Sequence, residues 1–545
     1  MHSAILIVVD DAITPYKTFH FLKFAFSVRL LKENITMIFR LLLILTTASL
    51  VHGYKILALF PHRGKSHFLV YYPLVEALAK KGHDVTVMGH YPLKTPIPNY
   101  RDVVLHEEIP TIPGNLGDFT GSWLQRWFTL LMLDKLAEAS CTQAFASSVV
   151  KDFLKTDERF DVIITQAFNS ECFASFANKF KAPTIGISTC IIPHWISERV
   201  GTPTTPSYIP NVHMEHYDRM PFLARVENLV LGVLQQLYYN SVMMKYGEDI
   251  AKEYFGEDSP SLMDITLNTS LLLVNSHFSL TLPRPTVPAL VEVGGMHIGQ
   301  VKKLPTDLEK WINESTHGVI YFSLGSMIKG HTFPDEKRQE FLKAFGRLPQ
   351  RVLWKYENDT MPGKPDNVMI QKWMPQLDIL CHPNVKAFIS HGGLLGTTEA
   401  VHCGVPVMVM PQYGDQFTNA KALEANGGGV ILHLYEATEE KVYDALKTIL
   451  DPKFKKQAEE LSTRFRDRPM PPLETAIYWV EYVARHRGAH HMRTAAVGMP
   501  LYKYLLLDVI AFLLLVFGLV FAASFYVTRA IFRKLFGKKD KQKGD

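Results

Sequence analysis

Cysteine is scarce in this chain: Cys141, Cys172, Cys190, Cys381 and Cys403 are the only five in 545 residues, and none is spaced as C-x-x-C. An odd, sparse set of this kind predicts neither a disulfide framework nor a zinc site. The sequence also lacks G-x-G-x-x-G after an apolar run, which excludes a nicotinamide enzyme of the usual kind. It lacks the G-x-S-x-G elbow of a serine esterase as well. The nearest approach, Gly186-Ile-Ser188-Thr-Cys190, has the wrong fifth residue and precedes the only His-Gly-Gly, at residue 391. Charge of one sign is absent from most of the chain. The formal net charge of +5 is matched by residues 529–545 alone, with seven Lys/Arg against Asp540 and Asp545. The remainder is close to neutral, which removes the electrostatic case for a nucleic-acid partner. With 20% charged and 47% hydrophobic residues the chain is not extensively disordered.

Long apolar runs are equally rare, and the clearest one lies near the C-terminus. Val509 to Val527 is 19 residues without a charge, long enough to span a bilayer as a helix. We assign 505–528 to a transmembrane helix and 529–545 to a basic tail, cytoplasmic by the positive-inside rule, with everything before the span on the lumenal side. From Met37, MIFRLLLILTTASLVHG has the form of an export signal ending at Gly53, so 37–53 is assigned as signal peptide and 1–36 as an upstream extension. Asn268, Asn313 and Asn358 begin sequons that a lumenal domain would expose to glycosylation. Lys541 and Lys543 near the end resemble a dilysine retrieval signal, favouring the endoplasmic reticulum.

Between signal and span, short Val/Ile/Phe runs alternate with helical spacing. YKILALF, a PHRGKSH loop, a helix from Phe68 to Lys81 and HDVTVMG form a β-loop-α-β unit. FDVIIT and APTIGIS continue the alternation, and helical stretches fill 119–156 and 222–255. Pro283, Pro285, Pro288 and the pair Gly294-Gly295 break the pattern, which places a domain boundary at 288/289. GVIYFSLGS, RVLWKY, NVMIQKW, AFIS, VPVMVM and GVILHL then resume it up to residue 504. Two such halves predict an α/β protein with two Rossmann-like domains facing across a cleft.

One stretch carries the most chemistry, AFISHGGLLGTTEAVHCGVPVMVMPQYGDQ, from Ala387 to Gln416. A strand ends at Ser390, His391-Gly392-Gly393 turns, and a helix begins at Leu394, so free N–H groups and the positive helix end suit a phosphate. Glu399, farther along that helix, can bind two ribose hydroxyls. Asp415 and Gln416, after the next strand, can reach a sugar. Together these describe a nucleotide sugar.

At these residues the chain resembles the UDP-glycosyltransferase family. The donor signature is matched without a gap through His391, Gly393, Glu399, Pro406, Pro411, Asp415 and Gln416. The resemblance implies that Trp373 and Gln376 of WMPQ hold the uracil, that Ser326 of FSLGS contacts the diphosphate, and that the fold is GT-B. It implies inverting transfer of a hexose, glucose by the invertebrate-like form HGGLLGTTEA, to a hydroxyl of a small lipophilic acceptor. No D-x-D pair stands near the donor elements, so neither metal nor cofactor is expected beyond the UDP-sugar. His67, in GKSHF at a helix start, matches the family's base, and the helix dipole there favours its neutral form. Two positions depart from the pattern. Gln166 stands where an acid would orient the base, for which Glu171, five residues on, is the expected substitute. Leu395 replaces a polar residue beside the phosphate site. These departures keep open a second reading, a lumenal nucleotide-sugar-binding protein that has lost turnover. Self-association into a homo-oligomer is also left open.

Overall fold

A computed structural model describes residues 53–105, 116 and 123–537, with Lys32, Thr36 and Met37. Apart from Lys32, Thr36, Met37 and Gly53, the upstream extension and the signal segment lie outside the described residues, as do residues 538–545 of the basic tail, with Lys541 and Lys543.

The first half is built on seven parallel strands: β1 (Lys55–Phe60), β2 (Asp84–Gly89), β3 (Tyr100–Val104), β4 (Val162–Gln166), β5 (Thr184–Ser188), β6 (Leu271–Val274) and β7 (Leu290–Glu292). Their spatial order is 3-2-1-4-5-6-7. The second half has six: β8 (Val319–Ser323), β9 (Arg351–Lys355), β10 (Val368–Gln371), β11 (Val385–Ser390), β12 (Val407–Val409) and β13 (Gly429–Ile431), in the order 10-9-8-11-12-13. Both are doubly wound, and the chain reverses its direction of travel beside β1/β4 in one sheet and β8/β11 in the other.

Alternation along the central strands explains why each sheet is covered on both faces. In β1, Ile56, Ala58 and Phe60 belong to one core and Leu57 and Leu59 to another. In β8, Ile320 and Phe322 face one core, Val319 and Tyr321 the opposite one. Side chains of period two in a strand buried on both sides must be apolar at every position, which is why these strands read as unbroken apolar runs.

The helices that matter below are α1 (Lys65–Lys80), α2 (Trp123–Ala146), α3 (His194–Ser197), α4 (Phe222–Tyr238), α5 (Gln376–Leu380), α6 (Leu394–His402), α7 (Gln416–Ala425), α8 (Pro472–His486), α9 (Leu501–Tyr504) and α10 (Leu507–Phe536). Two features differ from the boundary at 288/289. Strand β7 extends the first sheet to Glu292. Helix α8 returns to the first half, burying Ala476, Val480 and Val483 in its core, because its apolar face matches the surface left open by α1 and β4. The halves also meet directly: Thr418 Oγ1 on α7 donates within 2.8 Å of the carbonyls of Val212 and Met214.

Helix α10 is 30 residues of largely uncovered apolar surface, long and apolar enough to cross a membrane. It runs eight residues past the end expected at 528, carrying Arg529, Arg533 and Lys534. Cations in the last turns complement the helix dipole, so the basic flank continues the helix rather than ending it.

Cysteine corrects the sequence reading most plainly. Two disulfides form, Cys141–Cys172 and Cys381–Cys403, and Cys190 stays free and buried. The partners are 31 and 22 residues apart, distances over which only the tertiary fold decides proximity. The second bridge joins the C-terminal ends of α5 and α6.

Candidate active site

The two reversal points place the candidate residues. In the first half, α1 follows β1 and carries His67 in its first turn, Gln166 ends β4, and Thr189 directly follows β5. In the second, Gly325 and Ser326 follow β8 and the His391-Gly392-Gly393 turn follows β11. All stand at the carboxyl ends of parallel strands, where doubly wound sheets form their binding crevices.

His67 is half buried. Its Nδ1 lies 2.8 Å from Thr189 Oγ1 and 3.2 Å from Gln166 Nε2. The ring stacks on His62 at a centroid distance of 3.8 Å and lies 5.1 Å from Phe168. Loss of hydration, followed by the neighbouring His62, holds the pKa of His67 well below 6.5. The imidazole is therefore neutral at pH 7, through burial rather than through the helix dipole expected from the sequence. Thr189, unread in the sequence, has a hydroxyl placed to accept an Nδ1–H and leave the Nε2 lone pair free. No local sequence signal marks it, because β5, which it follows, comes beside β4 only in the assembled sheet.

Glu171 does not fill the place expected for it. It sits in a 3-10 turn, Glu171–Ala174, and its Oε1 accepts from Arg199 at 2.7 Å and from Tyr239 Oη at 3.2 Å. Glu171 and Arg199 are both almost fully buried, 7% and 5% exposed, so the carboxylate is taken up by a buried ion pair. The side chains that meet Nδ1 of His67 are neutral.

On the other side of the crevice, glycine lets two loops close on one ring. A Cβ at Gly325 would lie 2.7 Å from His391 Cε1, and one at Gly393 would lie 2.5 Å from Nε2, so only hydrogens fit on both sides of the imidazole. Gly392 has φ +84° and a Cβ there would meet Val409 at 2.8 Å. Asn419 Nδ2 fixes this turn by donating to the Gly392 carbonyl at 3.0 Å. Burial, with Lys355 nearby, lowers His391 to about 4. The turn leads into α6, whose N-cap is Gly393 and whose first backbone N–H groups have no partner within the helix.

Glu399 on α6 accepts a 2.7 Å hydrogen bond from Gln376 Nε2 on α5. Burial raises its pKa to about 7, with the Gln376 amide opposing the shift. His297 Nε2 lies 4.0 Å from the same carboxylate. Asp415 is raised to about 6, again chiefly by burial, and Asn419 donates to it at 3.1 Å. Gln416 uses its Oε1 to accept from the backbone N–H groups of Gln412 and Tyr413, at 2.9 and 3.2 Å, so it stiffens the loop that presents Asp415. Trp373 is 63% exposed, with Lys65 Nζ of the first half 5.1 Å from its ring centroid. That contact joins the tryptophan to the helix bearing His67, across the crevice. Asn268, Asn313 and Asn358 are all exposed.

Residues 118–542 match the family model described as UDP-glucoronosyl and UDP-glucosyl transferase. The chain is 45% identical over 513 residues to UDP-glycosyltransferase UGT5 of Dactylopius coccus, covering 92% of this chain and 96% of that one. It is 39% identical to UDP-glucosyltransferase 2 of the same organism, covering 93% and 99%. Among solved structures it is similar to glycosyltransferase VinC in complex with DTDP, with a TM-score of 0.54 and 16% identity, covering 79% of this chain and all of that one. That likeness concerns the two-domain GT-B fold.

Proposed function

Because the chain belongs to the UDP-glycosyltransferase family, and so is a hexosyltransferase acting between a UDP-sugar and an acceptor, we propose that the sugar is glucose and the acceptor the hydroxyl of a small lipophilic molecule, as in detoxification. The identity with a UDP-glucosyltransferase supports the choice of sugar. The observation that carries the reading is the convergence at one crevice of a neutral imidazole and a glycine-lined helix mouth.

Neutral His67 takes the acceptor proton on Nε2 while the hydroxyl oxygen attacks the anomeric carbon. The bond from that carbon to the diphosphate oxygen breaks on the opposite face, so the configuration inverts. UDP departs as an anion received by the N–H groups at the start of α6 and by Ser326. Glu399 binds the ribose hydroxyls, Trp373 stacks on the uracil with Gln376 beside it, and Asp415 meets the sugar. Thr189 positions His67 in place of the acid. Gln166 can do the same with its amide reversed, since Oε1 and Nε2 differ only by assignment.

Chain export through the signal segment, glycosylation at the three exposed sequons, anchoring by α10 and residence in the endoplasmic reticulum complete the proposal. The two disulfides support an oxidising compartment.

The second reading, a binder without turnover, is favoured by one observation: as assigned, the Gln166 amide points its NH2 at Nδ1, which would leave the proton on Nε2. A single-turnover assay with UDP-glucose, UDP-glucuronic acid and a panel of phenols decides between them. A glucoside is expected from UDP-glucose. Donor affinity without product would establish the binder.

A further inference from the structure

The stretch PHRGKSH, from the end of β1 into α1, holds two histidines, and the transfer step uses only the second. Gly64 links them. Its N–H donates to Nδ1 of His62 at 2.9 Å, and its carbonyl, at the N-cap of α1, accepts from the His67 N–H at 3.0 Å. The two imidazoles stack with centroids 3.8 Å apart and planes 15° from parallel, and Phe168 closes on both, 5.1 Å from His67 and 5.7 Å from His62. A Cβ at Gly64 would lie 2.8 Å from His62 Cε1 and 3.2 Å from His67 Cδ2, so a side chain there would push the rings out of place. The rest of the loop is pinned as well. His90 Nε2 donates to the Pro61 carbonyl at 3.1 Å, the Tyr91 hydroxyl donates to the Arg63 carbonyl, and the Arg63 guanidinium donates to Gln143 of α2. Both rings are therefore held in place before any substrate arrives.

This wiring decides the charge on each ring. A neutral imidazole has one N–H and one lone pair. Gly64 occupies the Nδ1 lone pair of His62, so the proton of that ring sits on Nε2, and a second proton could enter only at Nδ1, by breaking the bond to Gly64. Burial, then His90 and Arg63, which face the ring, lower its pKa to about 4. His62 thus stays neutral while His67 gains a proton. Thr189 and Gln166 meet His67 at one edge, at Nδ1, which leaves the ring free to tip about that edge. The flat face of His62 prevents it. The same face lies against the charge that forms on His67, and a neutral aromatic ring attracts a cation over its face. With the Glu171 carboxylate committed to Arg199, this face supplies part of what an acid at Nδ1 would.

We propose that His62 is a positioning residue for the transfer reaction, a fixed neutral ring that holds the His67 imidazole flat and stabilises its positive charge as the acceptor proton arrives. His62 itself exchanges no proton. The proposal rests on the reading of His67 as the base.

Two replacements in the full chain separate the ring from its hydrogen bond. His62→Phe keeps a flat ring and loses the acceptor for the Gly64 N–H, whereas His62→Asn loses the ring and keeps an acceptor. UDP affinity verifies the fold of each variant, and kcat and KM are measured with UDP-glucose and a phenol from about pH 5 to 8. His62→Asn is expected to lower kcat about 5- to 30-fold, the range for loss of a desolvated cation–π contact, with donor KM unchanged. It should also move the acidic limb of kcat/KM to higher pH, because water reaching His67 lets its pKa rise toward 6.5. His62→Phe should keep kcat within about threefold and leave the limb in place. If His62→Asn matches the unaltered protein in kcat and in the acidic limb while His67→Ala abolishes transfer, the base stands and this proposal fails. If His67→Ala retains transfer, the base reading itself is wrong. Equal losses in His62→Phe and His62→Asn with an unmoved limb would assign His62 to the shape of the loop alone, and overturn the proposal.

Discussion

The two halves of the molecule share one topology and build their sites in opposite ways. In the second half most of the candidate donor elements lie within one stretch of chain: a glycine turn, the helix it opens and the loop after the next strand all fall between Ser390 and Gln416, with Ser326, Trp373 and Gln376 added from two earlier segments. In the first half, His67, Gln166 and Thr189 come from three strand ends separated by 99 and 23 residues, and meet only because β1, β4 and β5 are neighbours in the sheet. Phosphate recognition by backbone N–H groups is local by nature, since consecutive residues supply it. Positioning a proton acceptor needs side chains from several directions, which only the completed sheet supplies.

The comparison breaks most sharply at His67. His67→Ala is expected to lower transfer by about 10²- to 10⁴-fold, the range for loss of a general base, with the Kd for UDP unchanged. Transfer surviving undiminished would remove the base from the first half and leave the donor site alone in charge of the chemistry. Next in size is Glu171→Gln. Removing the carboxylate leaves Arg199 charged and nearly fully buried, which costs about 3–5 kcal/mol, read as a lowered urea midpoint, with kcat of the folded fraction unchanged. A fall in kcat at an unchanged midpoint would return Glu171 to the base. On the donor side, Cys381→Ser with Cys403→Ser opens a loop of 22 residues and costs about 3 kcal/mol by chain entropy. Because that bridge joins the helices bearing Gln376 and Glu399, UDP affinity is expected to fall with stability, while the double replacement of Cys141 and Cys172 leaves affinity intact.

These outcomes bear on how much the sequence discloses. The strand, glycine turn and helix from Ala387 to His402 were legible because glycine spacing and helix starts are local signals, and the strands that carry them are unbroken apolar runs. The acid was misplaced because Glu171 is near Gln166 in the chain, whereas the 3-10 turn at Glu171–Ala174 swings it toward Arg199. Thr189 went unread because a threonine after a strand has no signature until its neighbour is known. Strand β3, Tyr100–Val104, was missed because Arg101 and Asp102 interrupt its apolar run, β6, Leu271–Val274, because four apolar residues alone do not tell a strand from a buried helix, and the disulfides for want of any spacing rule across 22 or 31 residues. Thr189→Val sharpens the point. Losing a hydrogen bond to a group that becomes charged in the reaction, about 1.5–3 kcal/mol, should lower kcat about 10- to 100-fold without moving donor Kd. Thr189→Ser should restore most of it, and equal activity of Thr189→Val would assign the positioning to Gln166 alone.

The smallest effect separates the halves by pH. Glu399 has its pKa raised to about 7 by burial, while His67 is held well below 6.5. Ribose hydroxyls donating to Glu399 favour its ionised form, so donor binding must lower that pKa and release a proton. The affinity for UDP-glucose is therefore full above about pH 7 and declines as the pH falls through that value, by at most tenfold per unit. His67 remains neutral over the upper part of this range, so KM for the donor should rise before kcat falls. Calorimetry of UDP-glucose binding from pH 5.5 to 8.5, in buffers of different ionisation enthalpy, measures the released proton directly. Glu399→Gln should abolish the release near pH 7 and leave only the weaker contribution of Asp415, raised to about 6. A binding curve without pH dependence in the unaltered protein would mean that Glu399 does not meet the ribose, and that the donor half holds its ligand through backbone N–H groups and side chains that do not titrate in this range.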